Sequence, residues 1–297
     1  MEFRDILVGL DPTDSGEARL RLAAAIARGC GAVLSAAFVM PEAIPGAPPY
    51  GDGRIAQPIV EAWMPNPAAI AGEIPASGEG ADPTRAQTLI DIIEQRFRQE
   101  MRPHALEGDF HTFGSGEGGD LVALARTVDL VIYGQQSPDW HLPTGFRPED
   151  LIVGGGRPVL VVPYAGKFPT LGRRVLIAWD GTREAARALG DALPLIAKAE
   201  AATIMTVRQH EADFERDAPA LQRLEQHLAH HRITATHEES VRGDVPVADL
   251  LLSRAADLDI DLIVAGAYHH SRFREALVGG VSRELLDHMT VPVLMSH

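Results

Sequence analysis

Apolar residues gather along this chain in short unbroken runs rather than alternating with polar ones. Ile6 to Leu10, Ala32 to Val39, Asp129 to Gly134, Pro158 to Pro163, Arg174 to Ala178, Ala201 to Val207, Leu262 to Gly266 and Val291 to Met295 are runs of this kind. A strand without period-two alternation is covered on both faces, as in a parallel sheet flanked by helices. Between the runs the spacing becomes helical. Thr13 or Ser15 caps a helix to about Arg28. Leu89, Ile92, Ile93 and Phe97 mark one face of 88–101. A helix covers Leu121 to Thr127, Leu221, Leu224 and Leu228 mark one over 218–231, another covers 245–256, and Val281, Leu285 and Leu286 follow the pair Gly279-Gly280. Short strands are also expected within 104–113 and over 233–241. Alternating strands and helices build βαβ units with right-handed crossovers.

The chain repeats itself. Arg174 to Glu184 reads like Asp5 to Ser15, each an apolar strand that ends in an aspartate just before a helix cap. Such a repeat means a duplicated fold. From Asp11 to Pro158 is 147 positions, and from Asp180 to Pro292 is 112, so the first half carries 35 extra residues. They fall chiefly in 41–82, where prolines and glycines crowd and no period survives. That stretch is expected to be a surface insertion with one short helix near 59–63 and an apolar anchor at Trp63 and Met64. The expected organisation is a first α/β domain over 1–163, a linker over 164–172 and a second α/β domain over 173–297.

The C-terminal stretch carries the candidate chemistry. Asp261 to Gly266 is a buried strand ending at a glycine, and a helix begins after Gly279-Gly280. A helix start at the carboxyl edge of a parallel sheet presents free backbone N–H groups and a positive dipole end, which suits an anion. In open α/β sheets that edge is also where ligands bind. The same spacing is equally that of an ordinary turn between strand and helix.

This stretch resembles the signature of the universal stress protein family, G-x2-G-x9-G-[ST]. Gly266, Gly279, Val281 and Ser282 match it, His269 stands at the second glycine, and Gly280 stands at the first hydroxyl position. The resemblance extends over nearly the whole chain outside the insertion. It implies two tandem Rossmann-like domains, each a five-stranded parallel sheet of order 3-2-1-4-5. It further implies an internal pseudo-dimer of the two domains through their last strands, and admits a homodimer.

In nucleotide-binding members the aspartate after strand one and a valine ending strand two contact the adenosine, and the signature residues hold ribose and phosphates. Carried over, this implies an adenine-nucleotide site for ATP, ADP or AMP, with or without Mg, at Asp180, Val207, Gly266, His269, Gly279, Gly280, Val281 and Ser282. The His269 imidazole adds bulk at the phosphate position but can also donate to a phosphate. In the first half Asp11 and Val39 persist and mark a second, weaker site. The loop after Gly134 lacks the signature, so that half is expected as scaffold or interface.

Charge narrows the partners. With 41 acidic against 27 basic residues the net charge is −14, so phosphate backbones and anionic lipid surfaces are repelled. No nucleic-acid or membrane partner is expected, and no apolar run reaches the roughly 20 residues that span a bilayer. A charged N-terminus without an apolar signal core points to the cytoplasm. The single cysteine, Cys30, excludes an internal disulfide framework. His227, His230, His231 and His237 fall at metal-compatible spacings, yet read better as exposed side chains near a helix end. No Gly-x-Ser-x-Gly elbow is present, and Gly114 to Gly119 lacks the lysine of a phosphate loop. The expected function is therefore a stress-response regulator binding an adenine nucleotide, not an enzyme beyond slow ATP hydrolysis. The alternatives are a nucleotide-free interaction and dimerisation module and, third, an enzyme using the loop 135–140.

Overall fold

The computed structural model describes residues 2–40, 83–114, 116–136, 146–267 and 280–297. The insertion with its expected helix and Trp63–Met64 anchor, Trp140, His269 and Gly279 lie outside these residues.

In the first half the elements are β1 (Asp5–Leu10), α1 (Asp14–Cys30), β2 (Val33–Val39), α2 (Pro83–Met101), β3 (Phe110–Phe113), α3 (Gly118–Ala125), β4 (Leu130–Gly134), α4 (Pro148–Gly155) and β5 (Val159–Val162). The second half runs β6 (Arg174–Ala178), α5 (Arg183–Ile196), β7 (Ala201–Arg208), α6 (Ala212–His230), β8 (Ala235–Val241), α7 (Val247–Asp257), β9 (Leu262–Gly266), α8 (Gly280–His288) and β10 (Val293–Ser296). Helix α4 is the element that the sequence pattern did not reveal. Its apolar residues Leu151 and Ile152 are adjacent and its last turn is glycine, so eight residues carry too little periodicity to announce a helix.

The ten strands among the described residues join one sheet of order β3-β2-β1-β4-β5-β10-β9-β6-β7-β8. Each half is thus a parallel sheet of order 3-2-1-4-5. Val161, Leu160 and Val159 of β5 pair antiparallel with Val293, Leu294 and Met295 of β10. The six side chains are essentially inaccessible to solvent, which explains their unbroken apolar character. Helices cover both faces. One core layer gathers under α1, α2, α5 and α6, and the other under α3, α4, α7 and α8, and each takes residues from both halves.

The duplication reaches into backbone detail. The Asp129 carboxylate accepts the N–H groups of Arg4 at 2.8 Å and Asp5 at 3.1 Å, where β1 begins. Asp261 does the same for Arg173 at 3.2 Å and Arg174 at 3.0 Å, where β6 begins. Antiparallel pairing of β5 with β10 sets the carboxyl edge of one half beside the amino edge of the other. The two crevices consequently open on opposite edges of the shared sheet.

Candidate functional site

The carboxyl edge of the second half holds a cleft of about 340 Å³. Of the residues expected there, Asp180, Val207, Gly266, Gly280, Val281 and Ser282 all line it. Asp180 ends the turn after β6, Val207 lies near the end of β7, Gly266 closes β9, and the other three open α8. His269 and Gly279 lie outside the described residues. The apolar wall comes from Trp179, Met205, Val247, Leu251 and Ala265, with Leu285 and Met295 deeper in. Apart from Leu285 on the face of its helix, the sequence pattern singled out none of these, although Val247 and Leu251, four apart on one helix, were a readable stripe.

Local chemistry sets each side chain. The Asp180 carboxylate accepts from the Thr182 backbone N–H at 3.0 Å and its hydroxyl at 2.6 Å, both through Oδ1. Thr182 in turn caps α5, its Oγ1 accepting from the Ala185 N–H at 3.2 Å. Asp180 is exposed, and its Oδ2 makes no polar contact among the described residues. An acceptor pre-oriented by its other oxygen is therefore available to a donor in the cleft. Behind it, Arg208 donates to the Asp180 carbonyl at 3.4 Å and is anchored by Asp217 at 2.7 Å. Gly266 permits β9 to approach α5: an added Cβ would stand 2.5 Å from the Ala185 nitrogen and 2.6 Å from the Glu184 carbonyl carbon. Neither backbone atom can yield, so only glycine fits.

At the mouth, Val281 is 40% exposed whereas Ser282 is buried. The first N–H groups of α8, together with its positive dipole end, lie at the rim of the cleft.

The first half arranges the same positions differently. The Asp11 Oδ1 again accepts from the Thr13 N–H and hydroxyl, but its Oδ2 binds the Arg19 guanidinium. The Arg19 side chain is only 3% exposed and also donates to the Gly9 carbonyl at 2.7 Å. It presses against Gly134, where any Cβ would collide with the guanidinium. Tyr133, at the position of Ala265, lies against Gly9 and meets Phe146 edge-on with ring centroids 5.9 Å apart. Burial pushes the Tyr133 phenol well above the ordinary tyrosine range, with smaller opposing effects from Arg19 and Asp11. Val39 is buried. Aromatic and guanidinium groups of the protein itself thus occupy this crevice.

The remaining candidates have other employment. His237 Nε2 lies 3.0 Å from the Thr206 hydroxyl, and the rings of His227 and His231 meet edge-on at 4.8 Å. No cluster of potential metal ligands occurs among the described residues. Gln135 packs between the two halves, and no described helix is long and apolar enough to cross a membrane.

Residues 172–297 match the family model described as "Universal stress protein family". Over the whole chain the fold is similar to that of a universal stress protein from Archaeoglobus fulgidus DSM 4304, with 13% identity, 98% of this chain and 97% of that one covered, and a TM-score of 0.66. It is also similar to a functionally unknown protein from Pseudomonas aeruginosa PAO1, at 17% identity, 99% and 92% coverage and a TM-score of 0.58. No curated protein matches the sequence.

Proposed function

We propose, from the premise that residues 172–297 belong to the universal stress protein family, that this half binds an adenine nucleotide and that the chain acts as a nucleotide-responsive regulator. The observation that carries the reading is the Asp180 carboxylate, held by Thr182 through one oxygen and open at the other, in a cleft that ends at the start of α8. The open oxygen accepts the adenine amino group. Met205, Val207, Val247 and Leu251 offer an apolar slot for the base, and the N–H groups at Gly280 to Ser282 receive phosphate. A volume of about 340 Å³ lies at the lower end of the range for small-molecule sites, about 300–1,000 Å³.

In this reading residues 1–163 form a scaffold domain, 164–172 the linker and 173–297 the ligand domain, and the β5–β10 pairing makes the chain an internal pseudo-dimer. Binding and release of the nucleotide, rather than turnover, is its activity. Mass spectrometry of small molecules released from the purified, undialysed protein tests this. Stoichiometric ATP, ADP or AMP supports it. Protein free of nucleotide, with no heat on addition of millimolar ATP, ADP or AMP, removes it.

A further inference from the structure

Gln135 follows β4 in the first half, yet its side chain belongs to the second. Its Nε2 amide donates to the Leu286 carbonyl at 2.8 Å and to the Asp287 carbonyl at 3.1 Å. Its Oε1 accepts the backbone N–H of Tyr164 at 3.2 Å, at the beginning of the linker. The residue is 9% exposed, and its own N–H is fixed on the Val162 carbonyl at 2.8 Å. Both amide hydrogens and the amide oxygen are thus engaged, and this network also fixes which end of the amide is nitrogen.

The two carbonyls are among the last four of α8, which have no partner within the helix. Helices commonly solve this with a glycine just beyond the last turn. Here the sequence after His288 is Met289-Thr290-Val291-Pro292, without one. The C-terminal cap of α8 is instead contributed by the other half of the molecule. Sheet geometry makes this reach available, because antiparallel β5–β10 pairing brings the carboxyl end of β4 alongside the foot of α8.

The other end of α8 is the ligand end. Gly280, Val281 and Ser282 line the cleft, about 6–10 Å along the axis from the Gln135 contacts at Leu286 and Asp287, at 1.5 Å per residue. A nine-residue helix moves as a rod, so whatever fixes its foot fixes the direction of its first N–H groups. We infer that Gln135 is a positioning residue for the cleft: the first half sets the second half's affinity for its ligand by capping α8. The inference rests on the nucleotide reading above. By linkage the effect is reciprocal, and a ligand that holds the start of α8 tightens the contacts of Gln135 and Tyr164 at its foot.

Calorimetric titration of the full chain with ATP, ADP and AMP, alongside hydrogen exchange at the Tyr164 amide, provides the test. Gln135→Met keeps the side chain's length and removes all three hydrogen bonds. Leu160→Ala loosens the β5–β10 seam on the face of the sheet away from α8, and serves as the control for lost stability. The expected result is a 5- to 50-fold weaker affinity in Q135M and less than a twofold change in L160A. Saturating nucleotide slows Tyr164 exchange in the wild type and L160A but not in Q135M. Wild-type affinity in Q135M, or an equal loss in L160A, overturns the positioning role. Absence of binding by the wild type removes the nucleotide reading itself, and the inference with it.

Discussion

Asp11 and Asp180 end the first strands of the two halves in the same turn, yet Asp11 gives its second carboxylate oxygen to Arg19, whereas that of Asp180 has no polar partner among the described residues. Eight positions after Asp180, where Arg19 stands in the first half, the second half has Ala188. One duplicated turn therefore serves two ends: in the first half it is cemented, and in the second it stays available to a ligand.

Opposite substitution patterns follow. Asp11→Asn leaves a buried guanidinium without its charged acceptor and costs about 1–3 kcal/mol of stability, with nucleotide affinity unchanged. Asp180→Asn is exposed, alters stability by no more than about 0.5 kcal/mol, and weakens nucleotide binding about tenfold or more. Urea denaturation and calorimetry on both variants check the pair.

Gly266→Ala places a methyl group against the backbone of Glu184 and Ala185. Overpacking against atoms that cannot yield costs about 1–3 kcal/mol, and the shift of α5 displaces Asp180 with it. Thermal unfolding shows the first effect and a titration the second. Gly29→Ala, in open space on α1, is the neutral comparison.

Leu294→Ala empties a fully buried position opposite Leu160 in the seam between the halves. The expected cost is about 2–5 kcal/mol. Because each core layer spans both halves, unfolding of a Trp63→Phe, Trp140→Phe background monitored at Trp179 by fluorescence, and over the whole chain by circular dichroism, remains one coincident transition. Two separated transitions would show the halves to be independent.

One carboxyl makes a defined contribution to stability in acid. Burial first, and the neighbouring Asp129 carboxylate second, raise the Asp5 carboxyl above its ordinary value of 3.8. A carboxyl raised in the folded state favours folding when protonated, so the stability it contributes is present below 3.8 and is lost as pH rises through the folded value. Asp5→Asn is accordingly slightly more stable near pH 7, and because the carboxyl is largely solvent-screened the gain stays below about 0.5 kcal/mol. The gain fades on acidification, where the wild-type Asp5 carries its own proton. Urea titrations across that range read the difference.

Much of this was legible from the residues alone. Unbroken apolar runs announced buried parallel strands, and the repeated Asp-x-Thr after β1 and β6 announced the duplication. Six of the eight residues that the family resemblance implied for the second-half site line the cleft, and the glycine strand end and the helix start after Gly279-Gly280 were local signals for its edge. Side-chain plugs are not local. Nothing about Arg19 on the face of α1, or Tyr133 at the end of β4, discloses that they fill a crevice until the sheet brings them to Asp11 and Gly9. Gln135 looked like a ligand-loop residue for the same reason: its partners on α8 lie 151 and 152 positions away.

The most direct test is the stoichiometry of adenine-nucleotide binding to the full chain, by calorimetry, in the wild type, Asp180→Ala and Asp11→Ala. The account predicts one nucleotide per chain, lost in the first variant and retained in the second. Two nucleotides per chain, or binding that survives Asp180→Ala but not Asp11→Ala, would contradict it.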